Sequence, residues 1–253
     1  MSLELRNPHS VLAALETRPQ DVVDIRVHAH DAAGAWERVV DLAKRHHVLV
    51  RHGVIRDENA RRQPRGDAAK AGRVGAAQAT VKEHPGVDLT ELFAGAKDHS
   101  SGNGLWLALD QLQDPHNVGA IFRAAAFFGV KGIVVTRDRS APLSGTVYDV
   151  ASGGIEFVPF SSQVNLSRAL ASAKESGLWI LGASEHAELD VSQIPRDRPW
   201  LLVLGNEEKG MRRLTEENCD LLCRLSPRGR VGSLNVSVAA GVLMATLTAA
   251  HSR

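Results

Sequence analysis

Residues 231–251, VGSLNVSVAAGVLMATLTAAH, restrict what this chain can fold into more than any other stretch. A polar loop with Gly232, Ser233 and Asn235 runs straight into a segment of small apolar residues. Val236, Val238, Ala239, Ala240, Val242, Leu243, Met244 and Leu247 leave almost no polar stripe. A helix apolar on nearly every side has to be covered on nearly every side. The segment is therefore expected either to thread into its own domain or to be clamped against a second subunit. The loop at its start would then be held rigidly beside a helix N-terminus, a good place to bind a small ligand.

Upstream of it the chain alternates strictly. From Leu105, the runs LWLALD, GIVVTR, IEFVPF, LWILGA, WLLVLG and LLCRLS read as strands. NVGAIFRAAAFF, SGTVYDVAS, VNLSRALASAKES and a short MRRLTEENC read as helices between them. Short apolar strands alternating with helices predict an α/β fold, a parallel sheet covered on both faces. Ligands of such sheets bind at the carboxyl ends of the strands. Three loops stand there: QDPHN after the first strand, NEEKG after the fifth and SPRGRVGS after the sixth.

The 253 residues are enough for one large domain or two modest ones. Residues 1–83 predict a separate small α/β unit. HSVLAALETR and GAWERVVDLAKRHH are its helices, the second with Trp36, Val39, Val40 and Leu42 inward, and DVVDIRVHA, VLVRHG and GAAQATVKE its strands. Residues 84–104, rich in Pro, Gly, Ser and Asp, read as a linker holding one short helix around Leu89, Leu92 and Phe93. Residues 105–253 form the second domain.

The net charge of +1 decides nothing about nucleic acid, but its distribution does more. Between Arg51 and Arg73, seven basic residues face three acidic ones, with Arg61, Arg62 and Arg65 in a stretch that has little to bury. A second excess runs from Lys209 to Arg230, six basic against three acidic. Phosphate contacts need such clusters, although a solvated basic face explains either one alone. A mobile arginine-rich loop suits a large anionic partner, so Arg61, Arg62 and Arg65 are candidate contacts to RNA or DNA. No apolar run is long enough to cross a bilayer, and MSLELRNPHS lacks the basic-then-apolar pattern of a secretory signal. The expected location is the cytoplasm. Cys219 and Cys223 are too few for a structural zinc site and are expected to be buried reduced thiols, so no metal is expected.

The loops carry the candidate chemistry. Asn117 is placed to cap the helix that follows, and Gly129 to end it. Arg123 stands among Ile121, Phe122, Ala124 and Ala125, so it either pairs with a carboxylate or faces a cleft. Glu207 is the natural partner. The G-x-x-x-x-G spacing of Gly205 and Gly210 resembles a phosphate loop, but Met211 and Arg212 follow where Lys and Ser or Thr would be needed. Gly102 and Gly104 are followed by Leu107 where a dinucleotide fingerprint needs a third Gly. An ordinary nucleotide-binding α/β enzyme therefore has no support.

Together, DPHNVGAIFRAA, LGNEEKG and SLNVSVAAG resemble the three signature motifs of the TrmH (SpoU) branch of the SPOUT methyltransferases. The N-terminal unit is similar to the ribosomal-protein-like RNA-binding domain of RlmB-like members. The resemblance implies a C-terminal segment passing through a loop as a trefoil knot, one of the exceptions to unknotted chains, and homodimers. It implies S-adenosylmethionine bound in the knot, its methyl passing to a ribose 2′-hydroxyl of RNA. The RNA expected first is large-subunit (23S) ribosomal RNA, at a guanosine. The alternatives are transfer RNA or a non-catalytic RNA-binding ribosome-assembly protein. Carried over by motif position, Leu204, Gly205, Asn206, Gly210, Leu225 and Leu234 would hold the cofactor. Asn117, Arg123, Glu207, Ser233 and Asn235 would form the catalytic group, with Arg123 a cation for phosphate and developing alkoxide and Glu207 orienting it. Leu225-Ser226-Pro227 stands where many relatives have Ile-Pro-Met, so the cofactor wall is expected to differ there.

Overall fold

A computed structural model describes residues 2–27, 34–52, 77–99 and 104–249. The chain divides into two compact units, Met1–His84 and Pro85–Arg253.

In the first unit, β1 (Ser2–Leu5), α1 (Pro8–Thr17), β2 (Val22–Val27), α2 (Ala35–Arg45), β3 (Leu49–His52) and β4 (Ala77–Lys82) follow in order. Asn7 starts α1 by accepting from the His9 N–H at 2.9 Å, and Pro8 fits the first turn because its missing N–H is not needed there. The strands form a sheet in the order β1-β4-β2-β3, with β4 antiparallel to both neighbours and β2 parallel to β3. Leu5, Val11, Leu15, Ile25, Val27, Ala79 and Val81 fill its core. Of the four residues expected inward on α2, Val39 and Val40 are buried, whereas Trp36 and Leu42 are only half-buried; Ala43 takes the inner position instead. Strand β1 was not expected: SLEL is too short to show a period, and it is held by pairing with β4. The basic stretch with Arg61, Arg62 and Arg65 lies outside the described residues.

The second unit begins with the segment expected to be a linker. Asp88 caps the short α3 (Leu89–Leu92), and Leu92, Phe93 and Ala96 are buried in this unit's core. Trp106 Nε1 donates to the Leu92 carbonyl at 3.0 Å, and the Val87 N–H to the Phe160 carbonyl at 2.8 Å. Leu92 and Phe93, with the partly buried Leu89 beside them, fasten the segment down.

β5 (Leu105–Asp110), α4 (Pro115–Phe128), β6 (Ile133–Thr136), α5 (Gly145–Ala151), α6 (Gly154–Phe157), β7 (Phe160–Gln163), α7 (Leu166–Glu175), β8 (Trp179–Ala183) and β9 (Leu189–Asp190) follow. β10 (Trp200–Gly205), α8 (Arg213–Glu217), β11 (Leu221–Arg224) and α9 (Val236–Thr248) complete the unit. Seven strands form one sheet in the order β7-β6-β5-β10-β8-β11-β9, every pair parallel. Residues 105–109 and 200–204 are all buried, as fits central strands covered on both faces.

One expected strand is a helix. IEFVPF does not run as a strand from Ile155, because Ser152 (φ 49°) and Gly153 (φ 96°) turn the backbone left-handed and start α6. Gly154 then lies against α4, where a Cβ would come 2.6 Å from the Phe122 carbonyl oxygen. The strand itself starts at Phe160, after Pro159.

The last helix is covered on one side only. Ala240, Leu243, Met244 and Leu247 are buried, against α4 among other elements, while Val238 and Val242 are 51% and 42% exposed. The expectation that α9 is enclosed all round is thus not met by this chain on its own.

Candidate active site

The carboxyl ends of β10 and β11 and the loop before α9 enclose a cavity of about 730 Å³, within the range of small-molecule sites. Leu204, Gly205, Asn206, Gly210, Leu225 and Leu234, the six residues expected to hold the cofactor, all line it. Leu243 and Ala239 of α9 close its apolar side. Its lining carries both signs: Glu207, Glu208 and Lys209 on one loop, Arg228 and Arg230 on another.

Gly205 shapes the wall. A Cβ there would overlap the backbone of Gly210 and Met211, so only glycine lets the chain turn back on itself so tightly. The turn closes with paired backbone hydrogen bonds between Asn206 and Gly210, 2.9 Å in each direction. Asn206 fixes it further. Its Oδ1 accepts from the Glu208 and Lys209 N–H groups at 3.1 Å, and its Nδ2 donates to the Gln111 carbonyl at 2.8 Å.

Glu207 points from this turn to the start of α4. Its Oε1 accepts from Asn117 Nδ2 at 3.2 Å and from the Asp114 N–H at 3.3 Å; its Oε2 accepts from the Gln113 N–H at 3.3 Å. A carboxylate is favoured there, where helix N–H groups have no partners of their own. Asn117 Oδ1 in turn accepts from Asn235 Nδ2 at 3.0 Å, and Asn235 Oδ1 caps α9 by accepting from the Ser237 N–H at 2.9 Å. The polarity of this chain has one solution. A carboxylate only accepts, so Asn117 must turn its amide nitrogen to Glu207 and its oxygen to Asn235. Three segments spread over 118 residues of sequence are thereby tied by two side-chain hydrogen bonds.

Two expectations about these residues fail. The cap of α4 is Asp114, whose side chain accepts from the His116 N–H at 2.8 Å; Asn117 lies inside the helix and is 6% exposed. Arg123 is not paired with Glu207. Its side chain is exposed, makes no hydrogen bond or ion pair among the described residues, and is not part of the cavity lining. Six residues beyond Asn117, a helix has risen about 9 Å and turned about 240° past a full circle, so the two cannot share one acceptor at the N-terminus. Ser233 lies on the exposed loop and lines the cavity.

Sequence reasoning missed the pair formed by Asp110 and Arg212. Asp110 ends β5 fully buried, and Arg212 reaches it with Nε and Nη2, both at 2.7 Å. Arg212 had counted only as part of a basic excess. It missed Asp190 as well, whose Oδ2 accepts from the Ser226 N–H at 3.2 Å and so holds the altered wall segment to β9. Hydrogen bonds from Ser192 and Ser226 keep that carboxyl far below the usual carboxylate range. Cys223 is buried and Cys219 half-buried, and desolvation pushes both thiols up to about 12. Among the described residues no His, Cys, Asp and Glu cluster could hold a metal ion.

A model of the SpoU rRNA Methylase family matches residues 104–245. The 23S rRNA (guanosine-2'-O-)-methyltransferase RlmB of Nitrosomonas europaea is 47% identical over 149 residues, 59% of this chain and 57% of that protein. The chain thus spans less than two thirds of that relative. The Putative TrmH family tRNA/rRNA methyltransferase YacO of Bacillus subtilis is 34% identical over 234 residues, 92% of this chain and 90% of that one. Among solved structures, the SpoU methyltransferase AviRb of Streptomyces viridochromogenes in complex with the cofactor AdoMet superposes with a TM-score of 0.75. It is 19% identical, and the match covers 98% of this chain and 89% of that one, a likeness of fold.

Proposed function

The chain belongs to the SpoU rRNA methylase family, and from that membership we propose that it transfers a methyl group from S-adenosylmethionine to a ribose 2′-hydroxyl of RNA. The substrate we propose is 23S ribosomal RNA and the target a guanosine, the reaction in the name of the Nitrosomonas europaea relative. The observation that carries the reading is the Glu207–Asn117–Asn235 chain at the edge of a cavity built from the same loops.

The cavity fits the cofactor's chemistry. Leu204, Leu225 and Leu234 offer apolar surface to a nucleoside, and Gly205 lets it approach the backbone. Acidic and basic walls suit a molecule with a sulfonium and a carboxylate. The bound cofactor supplies a methyl carbon already activated by positive sulfur. The protein's work is then to align a hydroxyl behind that carbon and to make it more nucleophilic. Glu207, Asn117 and Asn235 hold the loops in register, and the Ser233 hydroxyl offers a polar contact on the cavity side. A guanidinium is a poor base in proteins, so Arg123 acts as a cation toward RNA phosphate and developing alkoxide. Among the described residues no carboxylate pairs with it, which leaves that charge to RNA.

Two further features belong to the same reading. The C-terminal segment is knotted in this reading, which is supported by the return of α9 to α4 and β5 after β11, two strands out from β10. The protein is a homodimer, its partner covering the exposed Val238 and Val242 of α9. The N-terminal unit, with its arginine-rich stretch around Arg61, Arg62 and Arg65, docks the RNA. No helix among the described residues is long and apolar enough to cross a membrane, and we assign the work to the cytoplasm, where ribosomal RNA is.

Transfer RNA is the second reading, since the Bacillus subtilis relative is named for both RNAs. Mapping 2′-O-methyl sites in ribosomal and transfer RNA from cells with and without the protein decides between them. Loss of one site in 23S ribosomal RNA is expected; loss in transfer RNA alone would move the substrate, and no loss in either would overturn the assignment.

A further inference from the structure

We propose that Asp110 and Arg212 are positioning residues that set the cofactor wall, by clamping the turn 205–211 to the end of β5. The inference rests on the proposed reading of the cavity and adds two residues to it. Asp110 and Gly205 are register partners across β5 and β10, so the carboxylate stands directly beside the start of the turn. Arg212 is the residue immediately after Met211, the last of the turn's cavity-lining residues. The pair therefore bolts the exit of the turn to the strand next to its entrance.

The geometry is that of a side-chain and a backbone bond acting together. Asp110 Oδ1 accepts from Arg212 Nε at 2.7 Å with Nη2 in ion-pair contact at the same distance, and Oδ2 accepts from the Arg212 N–H at 3.1 Å. Asp110 is fully buried, and Arg212 is 44% exposed in its side chain. Two hydrogen bonds from one residue fix both its main chain and its side chain. A lysine at this position carries the charge as a point and cannot present two coplanar N–H groups to one carboxylate. The clamp differs from the hydrogen bond of Asn206 to Gln111, which holds the other end of the same turn. With both in place, Gly205, Asn206, Glu207 and Gly210 have one position. With the Arg212 end released, the turn can lift away from β5, and the cavity floor and Glu207 shift with it.

A merely structural ion pair would lower stability and leave the folded protein's cofactor affinity alone. A positioning pair moves affinity in protein that is still folded. The test is calorimetric titration of full-length Arg212→Lys, Arg212→Gln and Asp110→Asn with S-adenosylhomocysteine, alongside thermal unfolding of each. The expected result is at least tenfold weaker binding for Arg212→Lys at a temperature where it is fully folded. The double variant Arg212→Lys with Asp110→Asn should bind no worse than the poorer single one, because both remove the same clamp. Should Asp110→Asn fail to fold, the two Arg212 variants carry the comparison. Wild-type affinity retained within twofold in folded Arg212→Lys and Arg212→Gln overturns the inference. A wild-type protein that binds no S-adenosylhomocysteine overturns the reading of the cavity instead.

Discussion

Asn117 joins the two ends of the hydrogen-bonded chain, and its loss leaves both Glu207 and Asn235 short of a partner. A hydrogen bond to a charged group contributes about 1.5–3 kcal/mol, or roughly 10–100-fold in rate if it acts in the transition state. Asn117→Ala should therefore lower single-turnover methyl transfer by about that factor. Asn117→Asp should be worse than Asn117→Ala, because a carboxylate there cannot donate to Glu207 and repels it. Activity of Asn117→Asp at the wild-type level would argue against the contact. The thiols give a second test. Burial raises Cys219 and Cys223 from an ordinary 9.0 to about 12, helped by the negative Asp220 and Glu216 for Cys219 and Asp190 for Cys223. A raised thiol value means the native state prefers the neutral form. That contribution is complete below pH 9.0 and is lost as pH climbs toward 12. At pH 8 both thiols should resist iodoacetamide in the folded protein and react in denaturant. Fast labelling of native protein would show the loops around them to be open.

Helix α4 is the element that brings the site together. It packs against α5, α6 and α9, and its start receives Glu207. Close approach depends on Gly119, where a Cβ would lie 2.7 Å from both the Val147 carbonyl oxygen and Val150 Cβ. Overpacking of this kind costs about 1–3 kcal/mol, which for a chain of this size is a fall of roughly 2–12 °C in Tm. Scanning calorimetry of Gly119→Ala should find that drop; an unchanged Tm would mean the two helices are less tightly apposed. At this scale the sequence was readable wherever a period was long enough. The apolar runs of β5, β6, β8, β10 and β11 and the patterns of α1, α2, α4 and α7 all appear where periodicity put them. β1 and β9, of four and two residues, carry no period. IEFVPF has a strand's composition but follows two left-handed residues that only a backbone view reveals. The convergence of three loops is not a local property at all, and motif resemblance supplied it. The Arg123–Glu207 pairing failed because spacing along a helix also fixes direction, and six residues point the side chain elsewhere. Asp110 and Arg212 escaped notice because a strand's last residue and a charge in a basic run are each unremarkable alone.

On the scale of the whole molecule, α9 is a helix of high apolarity covered on one face. Val238 and Val242 remain exposed on it, and Val231 and Leu234 of the preceding loop are exposed too. The proposed second subunit would cover that surface. Val238→Glu and Val242→Glu should turn a dimer into a monomer by sedimentation analysis; a wild-type protein that sediments as a monomer at micromolar concentration would remove the dimer from the account. The larger claim is that loops far apart in sequence meet to deliver a methyl group to ribose. Purified protein can be incubated with methyl-labelled S-adenosylmethionine and unmodified 23S ribosomal RNA, and the RNA digested to nucleosides. The account predicts label in a single 2′-O-methylguanosine, abolished by Glu207→Ala. Label on a base, or none with a protein that binds the cofactor, would contradict it.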